Sequence, residues 1–97
     1  MIQLSVLYPK TDGAKFDHDY YRDSHIPLAV SAWGLDASRV TVVKGIDGPY
    51  EAAVHFVFES TDALGAALGA DGTAAVMADV ANYTDITPVM QTSEIVG

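Results

Sequence analysis

The chain has no cysteine, no basic residue after Lys44 and no long apolar run. Without cysteine it has no disulfide framework, no thiolate nucleophile and no thiolate metal site. No apolar stretch approaches the roughly 20 residues that span a bilayer. The first residues also lack the charged region and cleavage site of a signal peptide. We therefore expect a soluble, cytoplasmic protein.

Charge is distributed unevenly along the 97 residues. All five basic residues lie in the first 44 positions, where five aspartates balance them, and eight acidic residues follow without a base. Because binding to phosphates or to anionic lipids requires a basic surface, this pattern disfavours nucleic-acid and membrane partners. We expect the later acids, such as Asp62, Asp71 and Asp79, to face solvent.

The hydrophobic pattern predicts one domain, residues 1–97, with the element order β-α-β-β-α-β. Alternating apolar residues predict strands at 2–8, 39–46, 51–59 and 86–96. Helical spacing between Asp17 as N-cap and Gly34 predicts a helix over 18–33. A second helix is expected over 62–68 and 73–80, interrupted at 69–72. This order is typical of an α+β, ferredoxin-like fold, a four-stranded antiparallel sheet with helices on one face.

Two helical details can be predicted more closely. Pro27 cannot donate a hydrogen bond to the carbonyl of Asp23, so the first helix should kink or restart near Pro27. In the last helical piece, Ala74, Met77 and Ala81 are expected to share one face.

The second face of such a sheet has no helix to cover it. Its mixture of small, polar and apolar side chains is too apolar to remain in water and too polar for a dry core. A second copy of the chain is the natural cover, so the sequence predicts a homodimer through this sheet face.

His25 is the main candidate for chemistry. Helical spacing places it on one face with Tyr21, directly before Pro27. Imidazole can act as a general acid or base near neutral pH. A half-buried histidine that only satisfies a backbone carbonyl is the alternative.

Other candidates depend on where their side chains point. His55 lies on the third predicted strand and faces either a pocket shared with His25 or the dimer interface. Tyr83 and Asp85 belong to a loop that either closes over a cavity or forms an Asx-type turn. Trp33 and Phe56 are candidates for a pocket wall. No spacing typical of a metal site, a phosphate-binding loop, a nucleophile elbow or a nicotinamide site is present, so neither a metal nor a cofactor is expected.

Several segments resemble the EthD family, and together they extend from the first strand to the last. The most specific of them are His25-Ile26-Pro27-Leu28 and Asn82-Tyr83-Thr84-Asp85. The others are Tyr8-Pro9, Phe16-Asp17-His18-Asp19-Tyr20-Tyr21, Phe58-Glu59-Ser60, Met77-Ala78-Asp79-Val80-Ala81, Pro88-Val89 and Ser93-Glu94-Ile95-Val96.

The resemblance implies a dimeric α+β barrel in which two ferredoxin-like sheets pack face to face. The family is named for a protein needed in bacterial degradation of ethyl tert-butyl ether, and its members often carry the label of a reductase. Related barrels include cofactor-free monooxygenases, isomerases, dehydratases and polyketide cyclases. By position, the resemblance implies His25, Tyr21 and Asp85 as catalytic residues, and Tyr83, His55, Trp33, Phe56 and Tyr8 as substrate-binding residues.

Three functions are compatible with these observations. The first is an enzyme, of oxidoreductase type or using acid–base chemistry without a cofactor, that acts on a small apolar, oxygen-bearing molecule between sheet and helices. The second is a ligand-binding or accessory protein without chemistry of its own, supporting an oxygenase, ether-degradation or polyketide pathway. The third, a structural dimer, predicts that packing seals His25.

Overall fold

The computed structural model describes all 97 residues and contains one four-stranded antiparallel sheet. Strand β1 (Ile2–Pro9) lies between β3 (Tyr50–Phe58) and β4 (Val89–Glu94), and β2 (Val40–Lys44) pairs with the other edge of β3. The resulting order, β2-β3-β1-β4, confirms the predicted ferredoxin-like α+β fold.

Helix α1 follows β1 and changes its helical type twice. It consists of the α-helical segment His18–Tyr20, the π-helical segment Tyr21–His25 and the α-helical segment Ile26–Trp33. The carboxylate of Asp17 caps its start by accepting a hydrogen bond from the backbone N–H of Tyr20 at 3.0 Å. Gly34, with a φ of 62°, ends the helix in the left-handed conformation that glycine adopts without strain.

The π-helical turn accommodates Pro27, which has no backbone N–H. Directly before it, the N–H of Ile26 donates to the carbonyl of Tyr21, five residues earlier. The α-helix restarts at Ile26, as the position of Pro27 predicts. Such π-helical turns frequently occur at functional sites, and this one carries both Tyr21 and His25 into the interior.

Two shorter helices separate β3 from β4. Helix α2 (Thr61–Leu68) is capped by Ser60, whose Oγ accepts from the N–H of Ala63. Helix α3 (Thr73–Asp79) continues into a 3₁₀ turn, Val80–Asn82. Ala74, Met77 and Ala81, which were expected to share one face, are all exposed. The helix buries Thr73 and Val76 against the core, whereas Met77 is 55 % exposed.

The last strand is shorter than predicted and begins at Val89 rather than at residue 86. The residues before it form a local turn because the hydroxyl of Thr84 accepts from the N–H of Ile86 and donates to the carbonyl of Lys15. This turn ties the entrance of β4 to the segment preceding α1, where Phe16 and Thr84 form an isolated β-bridge.

The core lies between the helices and one face of the sheet. Its sheet side consists of the inward residues of β1 and β3, including Leu4, Tyr8, Val54 and Phe56. The other face carries no helix and presents residues that alternate with these, among them Ser5, Leu7 and His55 on the inner strands and Val43 and Val89 on the edge strands.

No single helix is long and apolar enough to cross a membrane; α2 and the segment Thr73–Asn82 pass such a test only as a pair, bent by 71°.

Candidate functional site

The centre of the candidate site is a pair formed by His25 and Asp79. His25 is the last residue of the π-helical segment of α1 and is 5 % exposed, while Asp79 is the last residue of α3. Nδ1 of His25 lies 2.9 Å from Oδ2 of Asp79. The pair thus connects α1 with α3, and its two residues are 54 positions apart in the sequence.

Three hydrogen-bond donors stabilise the negative charge of the Asp79 carboxylate. Its Oδ1 accepts from the hydroxyl of Tyr20 at 2.8 Å and from the amide of Asn82 at 2.9 Å, and Oδ2 faces His25. Burial by itself raises the pKa of the Asp79 carboxyl, but the hydrogen bonds from Asn82, His25 and Tyr20 outweigh it and leave that pKa below its ordinary value. The carboxylate is therefore ionised at neutral pH and acts only as an acceptor.

This carboxylate determines the tautomer of His25. Burial lowers the pKa of the His25 imidazole, and the nearby Asp79 opposes that effect without cancelling it. The ring is therefore neutral at pH 7, and its single proton must lie on Nδ1, where it donates to Asp79. The lone pair of Nε2 is left free.

Nε2 has no hydrogen-bond partner in the chain. Among fully buried side-chain polar atoms, only the hydroxyl of Tyr21 lacks a partner, so Nε2 retains some accessible surface. Packing therefore does not seal His25 completely. The hypothesis of a purely structural dimer, in contrast, requires a sealed His25. An imidazole with a free, accessible Nε2 and a carboxylate on Nδ1 is the arrangement of a general base.

His25 borders an apolar cavity of about 50 Å³ between the helices and the sheet. We call this the inner cavity. Tyr8, Trp33 and Phe56, three of the predicted binding residues, contribute to its wall. The rest of the wall is almost entirely aliphatic: Val6, Ile26, Ala29, Val54, Leu68, Val76, Met77, Val80, Pro88 and Met90. At this volume it holds a few water molecules or the end of a larger molecule.

Three tyrosines pack behind the histidine. The hydroxyls of Tyr8 and Tyr83 are 2.6 Å apart, and the ring of Tyr83 lies 4.6 Å from that of His25 between centroids. Tyr21 stacks on His25 at 5.7 Å. Burial raises the pKa of all three phenols, so each keeps its proton at neutral pH. Of the three, only Tyr8 borders the inner cavity.

Two predicted site residues lie elsewhere. The structure corrects the placement of Asp85, whose side chain is exposed and accepts from the backbone N–H of Lys15 at 2.8 Å, so it serves the turn rather than the cavity. His55 is on the outer face of the sheet, where its Nδ1 lies 2.7 Å from the hydroxyl of Ser5. Of its two predicted orientations, the one away from His25 is found, because Val54 and Phe56 occupy the inward positions of β3.

Asp79 is the residue that the sequence prediction missed, since it was assigned to the solvated acids. Its side chain is only 13 % exposed. A signal for this placement was present in the helical spacing, because Asp79 lies three residues after Val76 and four before Tyr83, both of which are buried. No group of three or more His, Asp or Glu side chains is arranged to hold a metal ion.

Comparisons with known proteins agree with this architecture. The model of the EthD domain matches residues 9–87. An EthD-like protein from Ralstonia eutropha is 40 % identical and superposes with a TM-score of 0.89, with 99 % of this chain and 92 % of that chain covered. No curated protein gives a significant match.

Two more distant structures share the fold alone. SnoaB, a cofactor-independent oxygenase from Streptomyces nogalater, is 11 % identical, with a TM-score of 0.74 over 99 % of this chain and 93 % of that chain. A dimeric ferredoxin-like protein from Thermobifida fusca is 17 % identical, with a TM-score of 0.64 over 97 % and 90 %. The domain match over most of the chain and the identity to the Ralstonia protein show that this chain belongs to the EthD family.

Proposed function

We propose that the protein is an enzyme in which Nε2 of His25 exchanges a proton with a small, apolar, oxygen-bearing molecule. The single observation that carries this proposal is the contact of Nδ1 with Asp79, which leaves Nε2 unpartnered beside an apolar cavity. Asp79 orients the ring and stabilises the imidazolium that forms when Nε2 takes up the proton.

The surroundings of His25 favour a substrate with an apolar body and one polar end. The cavity wall is aliphatic and aromatic, and Tyr8 places the nearest hydroxyl in it. If the hydroxyl of Tyr83 donates to Tyr8, the proton of Tyr8 is free to donate to a carbonyl or ether oxygen. A histidine base and a phenol donor together suit proton abstraction next to a carbonyl group.

Proton transfer at carbon can be tested without knowledge of the natural substrate. Butanone, cyclohexanone and acetophenone are incubated with the protein in D₂O, and deuteration next to the carbonyl is followed by proton NMR. We expect His25→Gln to lower the exchange rate by at least about 100-fold, as loss of a general base does. Asp79→Asn should lower it by at least about tenfold, because the amide no longer favours the proton on Nδ1.

His18→Gln is the matched control, because His18 pairs with Glu51 at 2.8 Å and is not part of the cavity wall. This variant should retain the wild-type rate. Exchange that is equally fast in His25→Gln would remove the histidine from the reaction. Binding of these ketones by the wild-type protein without any exchange would instead favour the function of a ligand-binding protein.

We also propose that the protein is a homodimer whose interface is the outer face of the sheet. The exposed fractions of Val43 and Val89 on this face are 43 % and 49 %, and no other part of the chain covers them. The similar Thermobifida protein is described as dimeric. A second sheet packed on this face would bury Leu7 and His55 and leave the three helices and the inner cavity on the opposite side of the sheet.

A further inference from the structure

A second, larger depression lies beside the inner cavity. This cleft has a volume of about 530 Å³ and opens between the end of α1, helix α2 and the end of β3. We call it the outer cleft. Its wall is made mostly of small and aromatic apolar side chains, with Phe58 at its base, and the ion pair of Arg39 and Glu59 lies at its rim. Its volume lies in the range of ordinary ligand pockets, about 300–1,000 Å³, whereas that of the inner cavity does not.

Trp33 borders both spaces. On the inner side its ring meets Phe56 edge to face with centroids 4.9 Å apart, and Phe58 of the outer cleft lies 6.2 Å away. Trp33 is the one side chain that belongs to both walls, so its indole lies between the outer cleft and the inner cavity that His25 borders.

The indole is held in this position by the junction of α2 and α3. Its Nε1–H donates to the hydroxyl of Thr73 at 2.8 Å, and that hydroxyl donates in turn to the carbonyl of Ala67 at 2.6 Å. Thr73 is 8 % exposed, so this chain of hydrogen bonds is shielded from water. The indole is thus fixed by a single hydrogen bond in addition to its contacts with Phe56 and Phe58.

We propose that Trp33 is a movable partition that determines the size of the molecule reaching His25: the apolar body of the ligand occupies the outer cleft, and its polar end passes the indole into the inner cavity. The proposal rests on the proposed function only in taking His25 as the destination. With the indole moved aside, the two spaces become one pocket large enough for a one- or two-ring molecule. With the indole in place, only a few atoms fit beside His25.

The test measures contact rather than catalysis, so it remains decisive even if His25 proves inactive. The chain has three histidines and one tryptophan, and NMR therefore resolves the ring of His25 and the indole Nε1–H of Trp33 individually. 2-Naphthol, an apolar two-ring molecule with one hydroxyl, is titrated into the wild type and into Trp33→Ala, Trp33→Phe and Thr73→Val. Leu28→Ala is the control, because Leu28 is partly exposed on α1 and borders neither space. Met77→Ala, in the wall of the inner cavity only, tests entry from the side of α3.

In the wild type, we expect 2-naphthol to shift the indole signal and the His25 signal with the same half-saturating concentration, because one bound molecule contacts both rings. Trp33→Ala should lower the concentration that half-saturates the His25 shift by at least about tenfold, since the competent conformation no longer has to form. Thr73→Val, which frees the indole without reducing its bulk, and Trp33→Phe should each give a smaller decrease. Leu28→Ala should change it less than threefold.

Three results would overturn the proposal. One is an unchanged His25 titration in both Trp33→Ala and Thr73→Val, which would show that the indole does not control access. The second is a larger effect of Met77→Ala than of Trp33→Ala, and the third is a wild-type His25 shift without any indole shift. Either of these would place the entrance on the side of α3. Because Thr73→Val keeps the tryptophan, the first comparison holds even if Trp33→Ala does not fold.

Discussion

Two opposing effects act on the pKa of the His25 imidazole. Burial disfavours its charged form, while Asp79, itself ionised through three donors, favours it. Burial prevails, so the free base is the resting form at neutral pH. A neutral imidazole fixed in one tautomer needs no rearrangement before it accepts a proton, which is the condition for an efficient general base.

The depressed pKa of His25 predicts a specific dependence of stability on pH. Between about 6.5, the pKa of an unperturbed histidine, and the lower pKa in the folded chain, the unfolded chain binds a proton that the folded chain does not. Acidification through this window therefore lowers the free energy of unfolding, with a slope of at most about 1.4 kcal/mol per pH unit. Urea unfolding at pH 7.5 and at decreasing pH, at one protein concentration, measures it.

His25→Gln should remove this part of the slope, and His18→Gln should retain it. A ring-proton titration of His25 with a midpoint above that of an unperturbed histidine would contradict the prediction. Below about pH 3.8, the ordinary value for aspartate, a second loss is expected as Asp79, whose pKa is also depressed, takes up its proton.

At the scale of elements, the short junction between α2 and α3 positions both halves of the site. It orients Thr73 toward Trp33 and starts the helix that ends at Asp79. Gly72 in this junction packs directly on α1, since a Cβ there would lie 2.9 Å from Cβ of Ala32. The close approach of the two helices explains why a residue without a side chain is needed at this point.

Two glycine substitutions are expected to change the free energy of unfolding in opposite directions. Gly72→Ala should lower the free energy of unfolding by about 1–3 kcal/mol, because a new methyl group is forced into a filled space. Gly65→Ala, in α2, meets no atom within 4 Å and should raise it by about 0.5–1 kcal/mol through helix propensity. Denaturant titrations of both variants measure the two effects. An unchanged free energy of unfolding in Gly72→Ala would show that the junction shifts to accommodate the methyl group.

At the scale of the whole molecule, the proposed dimer interface and the candidate site lie on opposite faces of the sheet. The side chains of β1 and β3 alternate between the core with its inner cavity and the proposed dimer interface. A substitution on the outer face should therefore change the oligomeric state without touching the residues around His25.

Leu7→Lys tests the proposed interface, because it places a charge at the centre of the outer face beside Ala53 and Val89. We expect the wild type to sediment at twice the 10.3 kDa chain mass and Leu7→Lys to sediment as a monomer. Leu28→Lys, at an exposed position on α1, should remain dimeric. A wild-type mass of one chain at every concentration would disprove the dimer.

The sequence by itself determined the order of elements, the caps at Asp17 and Gly34, the interruption at Pro27 and the placement of His25 on one helical face with Tyr21. All of these depend on local spacing and backbone chemistry, which neighbouring residues express directly. Only the tertiary structure decided that His55 faces away from His25, that Asp85 closes a turn and that Asp79 is the partner of His25. Alternation along one strand does not determine which of its faces packs against the helices. Helical spacing does not determine which residues of two helices come into contact. Contacts between residues 54 apart, such as that of His25 and Asp79, exist only once α1 and α3 lie side by side.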